Sequence, residues 1–271
     1  MTTATISACV AELAAVPDRS EDRVRVGWNA VVVLDGASGT DCGASVSDYV
    51  ELLAGRIIAA LDEDPGAPLE WAVSESIEFT ASALDLAPGR APSSTVSIVR
   101  RRPDMVDTLV LGDSPVYVAC RDTIDRLSDD RLARLALPSR IRLFDRLAAG
   151  HGYDDRHREI ARELSGEKAP QLNRPGGYWI AEAEPQAGRN ALVRSYPAAD
   201  ISWCVLLTDG VDEPASHLDV TIEHIAVKDE AGLREVLAQI HRWEADTDPN
   251  GKHLPRFKRH DDKTIAVVRF A

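Results

Sequence analysis

The sequence predicts an α+β fold built on antiparallel sheets. Two observations carry that prediction. Apolar strand-like runs come in adjacent groups, and amphipathic helices are inserted between the groups in pairs, without the strand–helix–strand alternation that builds a parallel sheet. The chain of 271 residues is long enough to bury a substantial core. No linker or low-complexity tract divides it, so 1–271 reads as a single domain with a helical and extended insertion at about 123–200.

Residues 24–35 read as two short strands, "VRVGW" and "AVVVLD", joined near Gly27 to Asn29. Residues 47–62 place Val50, Leu53, Ile57 and Leu61 on one helical face; Ser47 or Asp48 is the expected N-cap, and Pro65-Gly66 stops the helix. A second amphipathic helix covers roughly 68–85. Strands follow at about 94–101, 106–112 and 115–121, the last two close enough in sequence for a hairpin. Residues 123–165 read as helical, with Leu132, Leu135, Ile141, Leu143, Leu147 and Ile160 as core contacts. "NRPGGYWIAEAEP" returns to extended chain, and strands are expected near 178–183, 190–195 and 202–208. A helix at about 229–245 carries Leu233, Val236, Leu237, Ile240 and Trp243 on one stripe, and a strand at 263–270 ends the chain.

The formal net charge of −13 repels phosphate backbones and anionic lipid, which argues against nucleic-acid or membrane partners. No stretch approaches the roughly 20 apolar residues that span a bilayer, and the N-terminus lacks the basic and apolar regions of a signal peptide. Cys9, Cys42, Cys120 and Cys204 form no CxxC pair, and two of them sit inside apolar runs; a reducing, cytoplasmic location is expected.

The chemistry is written at the strand ends. "AVVVLDGASG" stops its apolar run at Asp35, "TLVLGDSPV" at Asp113 and "CVLLTDGVD" at Asp209, while "HDDKTIAVVRF" enters a strand from Asp261 and Asp262. One Asp-Gly after a strand is a turn signal. Several acids at strand ends that meet on one rim would repel one another unless a cation sat among them. An oxygen-rich set without cysteine suits hard ions such as Mg²⁺ or Mn²⁺; His260, the one neighbouring histidine, reads as an exposed loop residue. A glycine after Asp35 would let its own carbonyl approach such an ion.

Taken in order, these motifs resemble the metal-dependent protein phosphatases, the protein phosphatase 2C-like (PPM) family. "SEDR", with Glu21 and Asp22, is similar to the family's early acidic motif, and "VVVLDGASGTDCGAS" to its central Asp-Gly motif, including Gly43-Ala44-Ser45. "SSTVSIV", with Thr95, resembles the Ser-Thr strand, "VLGDSPVYV" the Gly-Asp-Ser hairpin, and "LLTDGVDE" and "DDKTIAVV" the last two metal motifs. The resemblance implies an α-β-β-α sandwich of two antiparallel sheets flanked by helices, with two Mn²⁺ or Mg²⁺ ions, and a weaker third, at one rim. Asp35 would bridge the ions and the Gly36 carbonyl would bind one. Asp209 and Asp261 would complete a shell, Glu21 would act through water, and Asp113 would help hold the third ion. Asp22, Thr95 and Asp262 would support these ligands, and Arg19, or else Arg23, would bind phosphate. The implied activity is hydrolysis of phosphoserine or phosphothreonine in a phosphoprotein, opposing a Ser/Thr kinase. A metal-bridging water would be the nucleophile, with Asp35 and Asp209 at the reacting centre.

Departures from the pattern open a second reading, a catalytically weak module of the same fold that binds or regulates a partner. Ser38 stands where the family usually has glycine, Ala37 where some members carry a proton-donating histidine, and Pro115 where an arginine often follows Gly-Asp-Ser. An adhesion-type metal site of the von Willebrand factor A kind needs hydroxyls where Ala37 and Gly39 stand. A haloacid-dehalogenase-like enzyme needs an acid at position 37. Both fit the sequence poorly.

Overall fold

A computed structural model of the chain describes residues 5–37 and 44–270; Ser38, Gly39, Cys42 and Gly43, which bear on the motif readings above, lie outside the described residues. The elements run β1 (Ala8–Leu13), β2 (Asp22–Val26), β3 (Ala30–Ala37), α1 (Val46–Glu63), α2 (Leu69–Ala83), β4 (Ser93–Ser94), β5 (Val96–Arg101), β6 (Met105–Leu111), β7 (Val116–Cys120) and β8 (Thr123–Leu127). Then come α3 (Arg131–Arg134), α4 (Pro138–Ala148), α5 (Asp155–Lys168), α6 (Gln186–Arg189), β9 (Leu192–Pro197), β10 (Ile201–Leu207), α7 (Asp209–His217), α8 (Ile222–Ala226), α9 (Glu230–Asp246) and β11 (Lys263–Arg269).

Two antiparallel sheets stack face to face. One has the order β1-β11-β10-β7-β8 and the other β2-β3-β5-β6-β9, with β4 pairing the end of β3. The alternation of β3 explains why its run reads as continuously apolar. Val31 and Val33 point between the sheets, against Cys204, Leu206, Ala266 and Val268, while Val32 and Leu34 point outward against α1 and α2. On the far side, α7, α8 and α9 cover Val205, Leu207, Ile265 and Val267. The four layers are the expected α-β-β-α sandwich. Helix α1 is capped by Ser45, whose side chain accepts from Asp48 N, rather than by Ser47 or Asp48.

Several local readings are corrected. The runs on either side of Gly112–Pro115 form no hairpin: β6 lies between β5 and β9 in one sheet, β7 between β10 and β8 in the other. Burial on both faces hides from the sequence which sheet a strand joins, so a sheet-to-sheet crossing reads like a turn. Gly112 makes the crossing at φ +86, and a side chain there would come within 2.8 Å of Thr95. Residues 123–127 are not helical but an exposed edge strand, whose polar composition masked its pairing with β7. The stretch 178–183 forms no regular strand and touches the sheet through one bridge, Ser94 to Ala181. Ile141 is exposed; α4 instead turns Leu143 and Leu147 onto Ile160 of α5, a small satellite core. Strand β1 and helices α7 and α8 were not foreseen. Among the described residues no helix is long and apolar enough to cross a membrane.

Candidate active site

The antiparallel register sets Asp22 opposite Asp35, and paired residues share a sheet face, so both acids point between the sheets at one rim. Their roles then diverge. Asp22 is buried, and its Oδ2 accepts from Thr208 Oγ1 (2.9 Å) and Thr264 Oγ1 (2.8 Å), both on the facing sheet's strand ends. It stitches the sheets together where the apolar core gives out. Asp35 is half-buried with its carboxyl among the other acids, and its backbone is fixed instead. Asp35 N donates to Thr95 Oγ1 (3.1 Å), and its carbonyl accepts from Thr95 N (2.9 Å) and Ser94 Oγ (3.0 Å). Thr95 Oγ1 in turn lies 2.7 Å from Ser114 Oγ on the β6–β7 crossing, beside Asp113.

Two glycines let the acid-bearing turns close up. A Cβ on Gly36 would fall 2.5 Å from the Glu21 carbonyl and 2.6 Å from Val46 Cγ1, so glycine is required for β3 to meet both the β1–β2 loop and α1. Gly36 N donates to that same carbonyl at 3.1 Å. A Cβ on Gly210 would fall 2.1 Å from the Asp262 carbonyl, so the β10–α7 turn lies directly on the Asp261–Asp262 segment. Asp262 is buried and faces away from the cleft: its two oxygens accept from Ala15 N (2.7 Å) and Glu21 N (2.6 Å) and so anchor the loop that carries Glu21.

Asp35, Asp209, Asp261, Asp113 and Glu21 therefore converge. The electrostatic consequence is mutual repulsion in a poorly solvated place. Desolvation and the charges of Asp209, Asp22, Asp261 and Asp113 push the Asp35 carboxyl well above its ordinary range. Desolvation, then Asp261 and Asp113, bring Asp209 up to about 7. Desolvation raises Asp113 as well, against the lowering by its own backbone N–H, Lys168 and Arg140. Lys168 and Arg140 act on Asp113 through their charge, and Lys258 is ion-paired with the acids themselves. Lys258 Nζ is 2.9 Å from Asp261 Oδ1 and 3.9 Å from Glu21 Oε2, and those carboxylates with Asp35 outweigh desolvation and hold its ammonium in the charged form. Oxygen-only donors with raised carboxyls fit hard divalent ions, which would restore the ionised state.

The cleft has a volume of about 190 Å³. Asp209, Asp261, Lys258, Arg126, Arg140 and Phe144 are among the residues that line it. Arg19 sits exposed in the β1–β2 turn, while Arg23 turns to α1, its Nε 3.1 Å from Glu51. His260 is not an exposed loop residue. It stacks on His241 with ring centroids 4.3 Å apart, and its Nδ1 is 2.9 Å from Glu244 Oε2. The three could gather a metal, their ligating atoms lying within 4.8 Å of one another. Buried Lys263 already neutralises that carboxylate, donating to Glu244 Oε2 and to the Asp261 carbonyl, each at 2.9 Å. The network holds Asp261 in place. Sequence reasoning missed Lys258, Lys263, Thr208 and Thr264; a threonine beside each acid motif, in "LLTDG" and "DDKTIAVV", was the available signal for the last two.

No family model and no curated protein matches the chain. Solved structures do. The Mycobacterium tuberculosis serine/threonine phosphatase PstP/Ppp is 17% identical with a TM-score of 0.58, covering 98% of this chain and 99% of its own. The PPM Ser-Thr phosphatase MsPP from Mycobacterium smegmatis, in complex with cacodylate, is 15% identical with a TM-score of 0.58 over 99% and 100%. The catalytic domain of PstP in complex with two manganese ions is 16% identical with a TM-score of 0.56 over 98% of each chain. Over nearly its whole length, this chain has the fold of the PPM serine/threonine phosphatases.

Proposed function

We propose that the chain is a Mn²⁺- or Mg²⁺-dependent phosphoserine/phosphothreonine protein phosphatase acting in cytoplasmic signalling against a Ser/Thr kinase. The observation that supports it is the convergence of Asp35, Asp209, Asp261, Asp113 and Glu21 at one rim of this fold, with the carboxyls of Asp35, Asp209 and Asp113 raised, burial being the largest cause. Asp35, the Gly36 carbonyl, Asp209 and Asp261 would hold two ions, Glu21 would act through water, and Asp113 would serve a weaker third. When bound, the ions supply positive charge for the phosphoryl oxygens and an activated water. The chain's own share is placement. Thr95 and Ser94 fix the Asp35 backbone, Asp262 fixes Glu21, and the Gly210 contact fixes the spacing of Asp209 from Asp261.

The second reading, a regulatory module, is favoured by Lys258, an ammonium already seated among the acids. Turnover of a phosphopeptide and of an aryl phosphate with Mn²⁺, in the wild type and Asp209→Asn, separates the two. Turnover that chelator and Asp209→Asn both abolish supports the phosphatase. Metal binding without turnover transfers the case to the module, and turnover that survives both treatments removes the metal mechanism.

A further inference from the structure

Four cationic side chains line the cleft: Arg126, Arg140, Arg256 and Lys258. Three are committed. Arg126 lies 2.8 Å from Asp212, Arg256 2.8 Å from Asp248, and Lys258 2.9 Å from Asp261. Arg140 has no ion pair and no side-chain hydrogen bond among the described residues. In a chain of net charge −13, with acids lining the same cleft, that lack of a paired carboxylate stands out.

The guanidinium is nevertheless held. It lies over the ring of Phe144, one turn along α4, at 5.3 Å from the centroid, and over Phe257 at 5.8 Å. The two rings pack together at 5.1 Å, and His157 Nε2 lies 3.0 Å from the Phe257 carbonyl, which ties the Phe257 loop to α5. Phe257 immediately precedes Lys258, which pairs with Asp261, so the bracket ties Arg140 to the segment that carries the acid centre's ammonium. Aromatic faces hold a guanidinium while leaving its edge N–H donors free, the edge that grips phosphate or carboxylate in two-point fashion. Arg140 also acts on Asp113, so it stands within electrostatic reach of the acid centre.

We infer that Arg140, bracketed by Phe144 and Phe257, is the anion-docking residue for the phosphorylated substrate, in place of Arg19, and binds either the phosphoryl oxygens or a carboxylate flanking the phosphoresidue. This inference rests on the phosphatase reading. An exposed turn gives Arg19 no such fixed position.

The test compares Arg140→Ala, Arg140→Lys and Arg19→Ala in Mn²⁺-dependent turnover of an aryl phosphate and of phosphopeptides with and without acidic flanks. Loss of a charge-assisted contact raises KM about ten- to hundredfold in Arg140→Ala. We expect kcat to stay within about twofold, an intermediate KM for Arg140→Lys, and little change for Arg19→Ala. A rise with every substrate assigns the contact to the phosphoryl group; a rise confined to acidic-flanked peptides assigns it to the flank. Unchanged KM throughout overturns the proposal. Should the wild type not turn over, the phosphatase reading fails separately, and calorimetric binding of the same phosphopeptides then decides. Affinity lost in Arg140→Ala keeps the docking role; equal affinity, or none for the wild type, ends it. Thermal unfolding checks that each variant is folded.

Discussion

Asp107 and Asp35 lie on central strands of the same sheet, and the chain treats them in opposite ways. Asp107 is buried and saturated: Arg100 donates to it at 2.8 and 3.2 Å, Arg102 at 2.6 and 2.7 Å, and Ser195 at 2.7 Å. Desolvation would raise its carboxyl, but Arg102, Ser195 and Arg100 together bring it below the ordinary range. Asp35 faces other carboxylates and is driven the other way. A carboxylate that the fold uses for its own stability is supplied with cations from its neighbours. One kept for an outside partner is left in repulsive company, with Lys258 as a partial answer.

The sharpest way to break this contrast is to neutralise one acid from each region. Asp209→Asn should lower Mn²⁺-dependent turnover by at least about 100-fold, beyond the usual loss for groups that only support metal ligands. Its Tm in chelator should hold or rise, because a repelling charge is gone; a large fall in Tm would place Asp209 among the structural acids. Asp107→Asn should do the reverse, destabilising by about 3–5 kcal/mol in denaturant titration by leaving buried Arg100 unpaired, while the folded fraction stays active.

A smaller effect appears in pH. Asp209, raised to about 7, binds its proton more tightly folded than unfolded. Its contribution in the metal-free protein is therefore present at low pH and lost as pH climbs from about 4 through 7. Asp107, lowered, contributes above the ordinary carboxylate range and loses that contribution as pH falls. Tm measured against pH should decline from 4 to 7 in chelator, and saturating Mn²⁺ should flatten the decline by replacing the proton; identical profiles with and without Mn²⁺ would contradict this. Smallest is Lys258→Ala. Lys258 is half exposed, so its removal should tighten Mn²⁺ binding by only about two- to fivefold, read by calorimetry; weaker binding would mean that the ammonium helps to order the site.

How much of this was legible in the sequence follows from the range of the signals. The acids at strand ends could be read because each is local: an apolar run, an acid and a glycine. The amphipathic stripes of α1 and α9 were legible for the same reason. The sheet to which β7 belongs was not, since strands buried on both faces carry no period that names their partner. The way Asp22 supports the site was also hidden. It depends on Thr208 and Thr264 arriving from positions more than 180 residues away. Asp262 reads only as a support for the ligands, and only the folded chain shows it holding Ala15 and Glu21.

The contact at Gly210 has a consequence for how such a site can vary. Because the β10–α7 turn rests on the Asp262 carbonyl with no room for even a methyl group, the separation between the two acid-bearing turns is gauged by main chain against main chain. Such a gauge cannot be lengthened by exchanging one side chain for another. Adaptation to a different ion is therefore confined to the carboxylates themselves, whose reach changes in steps of one methylene, as between Asp and Glu.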